Sequence, residues 1–136
     1  MIDVRLYEDS DLDSVNKILL ESFNITKDNF DEDNIVEVVA CSDDNVVGYL
    51  YITRVLNPIK KKHYCLIDYV CVDNNYRNLG IGEKMINYSL DIAKNSGAMY
   101  VQLTCSYNRV AAHKLYEKCG FIKRESDIFR KEFLWY

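Results

Sequence analysis

The residues of this chain best placed to do chemistry lie in one stretch, Arg77-Asn78-Leu79-Gly80-Ile81-Gly82, at the start of a strongly helical run. The first turn of a helix carries unpaired N–H groups and the positive end of the helix dipole. Gly80 and Gly82 have no Cβ, so anionic oxygens can come close to those amides, and Arg77 adds a fixed positive charge at the entrance. Such a loop suits a pyrophosphate, although a glycine-rich turn before a helix is often only a turn. Two other phosphate-binding patterns fail on spacing. No GxxxxGKS or GxxxxGKT run is present, and a GxGxxG fingerprint starting at Gly80 would find Met85 in place of its third glycine or alanine. Metal chemistry has little support. Cys41, Cys65, Cys71, Cys105 and Cys119 are never spaced as CxxC, and the two histidines, His63 and His113, sit at no metal spacing from a cysteine pair. The cysteines read as reduced thiols serving as small hydrophobes, which fits a cytoplasmic protein and no metal.

The elements that must position this loop can be read from periodicity. Ile2 to Leu6 alternates as a short strand. Ser10 with Asp13 marks a helix start, and Leu12, Val15, Ile18 and Leu19 form an apolar stripe to about Phe23. Residues 24–34 are polar, acidic and irregular, with one helical turn expected around Asp28. Ile35–Cys41 and Val46–Arg54 are strands joined by the turn Ser42-Asp43-Asp44-Asn45, and Lys60-Lys61-Lys62-His63 caps a second hairpin. Tyr64–Val72 is apolar except for Asp68 and reads as a central buried strand. An amphipathic helix runs from the glycine loop to about Asn95, with Met85, Ile86, Leu90, Ile92 and Ala93 inward, and Gly97 stops it. Met99–Cys105 is a strand, Arg109–Lys118 a shorter helix, and Phe121–Arg124 and Ile128–Trp135 are two last strands. The order β-α-β-β-β-α-β-α-β-β predicts an α/β domain on a single mixed, mostly antiparallel sheet flanked by helices.

Composition bounds the partners. A chain of 136 residues with 49% apolar residues is the size of one domain with one core, expected to span residues 1–136. Seventeen Lys and Arg against twenty-one Asp and Glu leave a net charge of −4, which argues against nucleic acid as a partner. No run approaches the ~18 apolar residues of a membrane span. The start, MIDVRLYEDSDLD, has acids where a signal peptide has a basic start and an apolar run. The charge is also unevenly spread. Residues 1–45 carry thirteen acids and three basic residues, and residues 46–136 carry eight acids and fourteen basic residues. The split suits a protein that meets an anion with one part and a cation with another, as well as a plain solvated face.

Val70-Cys71-Val72-Asp73-Asn74-Asn75-Tyr76-Arg77-Asn78-Leu79-Gly80-Ile81-Gly82 resembles the acetyl-CoA signature of the GNAT superfamily of N-acetyltransferases. The run from Asn108 to Phe121, NRVAAHKLYEKCGF, is similar to a second motif of that family, about 25 residues further on. The resemblance implies a GNAT-like fold and acetyl-CoA as co-substrate. It implies that the strand before the loop splays from its neighbour and leaves main-chain groups of Val70, Cys71 and Val72 for the pantetheine arm. The loop of Arg77, Asn78, Leu79, Gly80, Ile81 and Gly82 would hold the pyrophosphate. Tyr116 matches the tyrosine that protonates the departing thiolate, a task suited to a buried phenol at a helix end; its alternative is a packed core aromatic.

Two positions depart from the pattern. Asn108 lies eight residues before Tyr116, where many members place a cofactor-contacting Asn seven before it, at the position of Arg109 here. One residue turns a helix by about 100°. Gln102 stands where several members carry a glutamate base, and Gln cannot take a proton. Asp68 matches an acidic residue on the strand of some small-molecule acetyltransferases. A carboxylate on an apolar strand is costly unless paired, so Asp68 is either the base or a structural hydrogen-bonding group. His113 is expected at the surface.

The implied activity is acetyl transfer to a primary amine of a small cationic molecule, by direct attack through a tetrahedral intermediate. Main-chain amides near Val70 would stabilise the oxyanion, Asp68 or a water would serve as base, and Tyr116 as acid. The alternatives are a non-catalytic acyl-CoA-binding sensor, a protein N-terminal or lysine acetyltransferase, or an interaction module in which the loop is only a turn. The resemblance leaves the acceptor and the oligomeric state open, with a homodimer among the alternatives. The acids Glu21, Asp28, Asp31, Glu32 and Asp33 flank the segment where an acceptor would enter.

Overall fold

The computed structural model describes residues 1–134. Its strands are β1 (Ile2–Leu6), β2 (Ile35–Ser42), β3 (Asn45–Asn57), β4 (Lys62–Val72) and β5 (Val101–Gln102). Its helices are α1 (Leu12–Phe23), α2 (Ile81–Asn95) and α3 (Val110–Lys118). The sheet is open, in the order β1-β2-β3-β4-β5; every pairing is antiparallel except the parallel pair β4–β5. This is the mixed, mostly antiparallel, helix-flanked sheet that the periodicity predicts.

Both faces of the sheet are covered. On one, Val15, Ile18 and Leu19 of α1 lie at helical spacing and pack on Val39, Cys41, Tyr49 and Cys71. On the other, Ile81, Met85, Ile86 and Ala93 of α2 pack on Val38, Ala40, Leu50, Ile52 and Ile67. Alternation along β2 and β3 sends successive side chains to these two layers. Gly48 lets α2 sit close: a Cβ there would meet the Met85 thioether at 2.9 Å and the Ala40 methyl at 3.3 Å.

Differences from the sequence reading concentrate after β4. The strand expected over Met99–Cys105 shortens to Val101–Gln102, and Phe121–Arg124 is not a strand. Residues 128–134 are not a strand either, and Trp135 lies outside the described residues. Phe121 packs partly buried against the core, while Ile122, Ile128, Phe129, Phe133 and Leu134 are exposed, with Ile122 at 85% and Phe129 at 93%. Alternation raises the propensity of such segments to pair, but a strand forms only where a neighbouring edge supplies its hydrogen bonds. Residues 25–32 form no helical turn, so the one expected around Asp28 is absent.

Candidate active site

The geometry around the predicted loop begins with an irregularity in β4. Tyr51 lies opposite Asp68 and Tyr49 opposite Cys71, so β4 has one extra residue between these pairs. Tyr69 takes up the bulge at φ 56°, left-handed backbone that a non-glycine residue seldom adopts. Beyond Leu66, β4 has no partner in β5, whose two residues pair only with Cys65 and Leu66. The sheet is therefore splayed from Ile67 to Val72. Asp73 N–H donates to Val47 C=O at 2.8 Å, toward β3. By antiparallel alternation Cys71 also faces β3, and the main-chain groups of Val70 and Val72 face the opening.

β4 ends in a one-turn helix, Asn74–Tyr76, held by the Asp73 carboxylate accepting from Asn75 N–H at 2.9 Å. Arg77, Asn78, Leu79 and Gly80 follow, all exposed, while Ile81 is anchored in the core. Asn78 and Gly80 have φ of 63° and 77°. Gly80 caps α2 and no side chain caps the first turn, which leaves its amides available to a ligand. A Cβ at Gly80 would meet nothing within 4 Å, whereas one at Gly82 would lie 3.1 Å from the Leu115 Cδ2 of α3. The two glycines therefore differ in role. Gly80 leaves open space at the first turn of α2, and Gly82 lets α3 approach α2, where Lys118 and Glu83 also pair at 3.1 Å. Burial pushes the Cys71 thiol up to about 12, against the opposing pull of the Arg77 and Arg109 guanidiniums, so both positive charges act on the end of β4. These features fit a pyrophosphate-bearing ligand.

Tyr116 is 8% exposed and belongs to the cluster that includes Ile81, with Val70 and Val72 packed against it. Burial raises its phenol pKa above the ordinary value, so it keeps its proton at neutral pH. Asn108 is exposed, and its side chain accepts from Ser106 Oγ at 2.7 Å. Arg109 caps α3 rather than lying within it, and its charge is felt at both Tyr116 and Cys71. His113 is partly exposed, with Nε2 2.9 Å from Ser106 C=O. Gln102 is exposed on β5.

Asp68 is half-buried on the α1 side of the sheet, and burial alone raises its pKa. Beside it the bulge turns Tyr69 into an aromatic wall. The Tyr69 ring stacks on Tyr51 at 5.9 Å and meets Phe23 edge-on at 4.9 Å. Sequence reasoning missed Tyr51 and Tyr69, because no periodicity signals a bulge. It also missed an ion pair inside the irregular segment: Lys27 Nζ lies 3.1 Å from Glu37 Oε1, with both side chains mostly buried. Glu21 is exposed before the segment, and its carboxylate accepts from Asn74 N–H at 3.4 Å, ahead of the glycine loop. Asp28, Asp31, Glu32 and Asp33 are exposed on the segment itself. All five cysteines are free, with Cys105 and Cys119 only partly buried. Among the described residues no three His, Cys, Asp or Glu side chains gather as a metal site, and no helix is long and apolar enough to cross a membrane.

Comparison with known proteins agrees with this geometry. An L-amino acid N-acetyltransferase of Escherichia coli K12 is 30% identical over 93 residues, 67% of this chain and 56% of the relative. Human N-acetyltransferase 8B is 29% identical over 106 residues, 78% of this chain and 47% of the relative. The chain thus spans about half the length of these two relatives. Among solved structures, a transcriptional regulator from Bacillus halodurans C-125 superposes with a TM-score of 0.86 at 21% identity, covering 98% of this chain and 100% of its own. An aminoglycoside acetyltransferase from an uncultured soil metagenomic sample, in complex with sisomicin, gives 0.85 at 17% identity, with coverage of 98% and 96%. Glucosamine-6-phosphate N-acetyltransferase from Arabidopsis thaliana gives 0.80 at 21% identity, with coverage of 96% and 98%. At these identities the structures speak for the fold. The acetyltransferase (GNAT) family model matches residues 4–121, and with most of its length matched the chain belongs to that family.

Proposed function

We propose that the chain transfers an acetyl group from acetyl-CoA to a primary amine of a small cationic molecule, by direct attack of the amine. One observation carries this reading: the bulge in β4 serves both faces of the sheet. It lies in the stretch of β4 that leads into an uncapped helix N-terminus, and it sets Asp68 in an aromatic wall on the α1 side.

Acetyl-CoA supplies an activated thioester and a pyrophosphate anion. Arg77, the loop from Asn78 to Gly82 and the first-turn amides of α2 bind the anion. Main-chain groups of Val70 and Val72 orient the extended arm, with the amide near Val70 receiving the charge that develops on the carbonyl oxygen; the Cys71 main chain, turned toward β3, is not among them. Asn108 adds a contact at the start of α3. As the new N–C bond forms and the C–S bond breaks, Asp68 or a water takes the amine proton and Tyr116 gives its own to the leaving sulfur. The L-amino acid N-acetyltransferase among the relatives suits an amine acceptor. The acidic first third of the chain suits a cationic one. Five free cysteines and a net charge of −4 fit a cytoplasmic setting without nucleic acid. We further propose a second copy of the chain as the cover for the exposed apolar residues of 122–134.

The test is thiol release by purified protein with acetyl-CoA and a panel of amines. Release that depends on a cationic primary amine is expected. Cofactor binding without release from any amine would overturn the reading in favour of an acyl-CoA sensor.

A further inference from the structure

The irregular segment after α1 holds one residue at both ends. The Asn16 side chain clamps the Lys27 main chain, accepting from its N–H at 2.8 Å and donating to its C=O at 3.0 Å. The Lys27 ammonium then reaches into the sheet. It lies 3.1 Å from Glu37 Oε1, 3.4 Å from the Tyr7 hydroxyl and 4.4 Å from the Tyr7 ring centroid. The Tyr49 hydroxyl donates to the same Glu37 oxygen at 2.7 Å. A carboxylate and an aromatic face around a mostly buried ammonium form a cation site. Here the cation belongs to the chain itself.

Glu37 is not remote from Asp68. In the register of the sheet Glu37 lies opposite Tyr51, and Tyr51 lies opposite Asp68. The two carboxylates therefore share one row on the α1 face, two strand spacings or roughly 10 Å apart. One of the row's two negative charges has a cation, and Asp68 has none among the described residues.

We propose that Lys27 sets the charge valence of the acceptor site: it fills the Glu37 seat in cis, so the row accepts a single ammonium group, at Asp68, and excludes linear diamines. This rests on the amine-acetylating reading of the site. Without Lys27, Glu37 would take the distal ammonium of a diamine whose other nitrogen lies at Asp68. A monoamine would gain nothing from that seat.

The experiment compares cadaverine with pentylamine, which have the same carbon chain and differ in the second amine. The readout is the ratio of their kcat/KM values in wild type, Lys27→Met, Lys27→Arg and Lys27→Met/Glu37→Gln. Lys27→Met should raise the cadaverine preference about tenfold or more. Lys27→Arg should keep the wild-type ratio, and the double variant should return to it. A looser segment alone would change both amines alike and would not be reversed by Glu37→Gln. An unchanged ratio in Lys27→Met, or a raised ratio that survives in the double variant, overturns the proposal. If wild type releases thiol with no amine, the amine-acetylating reading fails instead. Calorimetry with cadaverine then decides the Lys27 proposal: binding to Lys27→Met and not to wild type or the double variant supports it, and any other pattern overturns it.

Discussion

Tyr116 and Asp68 are shifted by the same cause, removal from water, and the roles proposed for them use the shift differently. A phenol with a raised pKa stays protonated at neutral pH, the form the proposed acid needs, and gives its proton up less readily than one in solvent. A carboxylate with a raised pKa is a stronger base than one in solvent. Tyr116→Phe removes the phenolic proton and leaves the ring in its cluster. Acetyl-CoA affinity should persist while kcat drops on the order of 100- to 10,000-fold; equal kcat, with the chemical step rate-limiting, would return Tyr116 to the core. As the proposed base Asp68 would act as the anion, so kcat/KM should decline as pH falls through its raised pKa. That acid limb should lie above the usual aspartate range and disappear in Asp68→Asn. A pH profile of kcat/KM for both proteins checks this, and an identical acid limb in the variant would assign proton removal elsewhere. Both residues were legible in the sequence as residue types within motifs. Their environments were not, because burial comes from α1, α2 and α3 packing around them.

At the scale of elements, the turn between β4 and α2 is the part most fully written in local sequence. Gly80 at φ 77° needs a residue that tolerates left-handed backbone, and the exposed loop depends on little else. Gly80→Asp would put a negative charge at the cradle, and Gly80→Asn is its neutral partner of similar shape and similar tolerance for that backbone. By calorimetry, acetyl-CoA affinity should fall about tenfold further in Asp than in Asn. Equal affinities in the two variants would show that no anion sits there. Gly82 teaches the opposite lesson. It looks equivalent to Gly80 in the chain, yet its missing Cβ is needed by Leu115, 33 residues away. The bulge at Tyr69 was equally hidden, since YCLIDYVCV reads as one uninterrupted strand.

For the whole molecule, the segment after α3 stands out. Ile122, Ile128, Phe129, Phe133 and Leu134 are each at least 70% exposed, an amount of apolar surface that a monomer seldom leaves in contiguous patches. On the proposed pairing with a second copy, sedimentation equilibrium should report a dimer. Ile128→Lys/Phe129→Lys should shift it to monomer; a wild-type protein that stays monomeric at high concentration would remove the homodimer. Charge is distributed at the same scale, though less simply than the sequence suggests. The acids of the first third divide among tasks: Glu21 accepts from Asn74 N–H ahead of the glycine loop, Glu37 pairs with Lys27, and Asp11 is held by two guanidinium nitrogens of Arg5 at 2.8 and 2.9 Å.

What the sequence determined by itself is whatever depends on neighbours within a few residues. That covers the helices and their apolar stripes, the strands from Ile2 to Val72, and the glycine loop poised at a helix start. Motif spacing extended this to the family and singled out Tyr116 and Asp68 as candidates, since the order of elements is a property of the chain. Only the tertiary structure decided where β4 parts from β5, because the splay depends on which edge each residue meets. It also decided that Tyr51 and Tyr69 wall Asp68, and that Lys27 reaches Glu37 across an irregular segment. A cross-strand register joins residues by their place in a ladder, and a buried ion pair by the shape of the cavity around it. Neither leaves a period in the sequence to read.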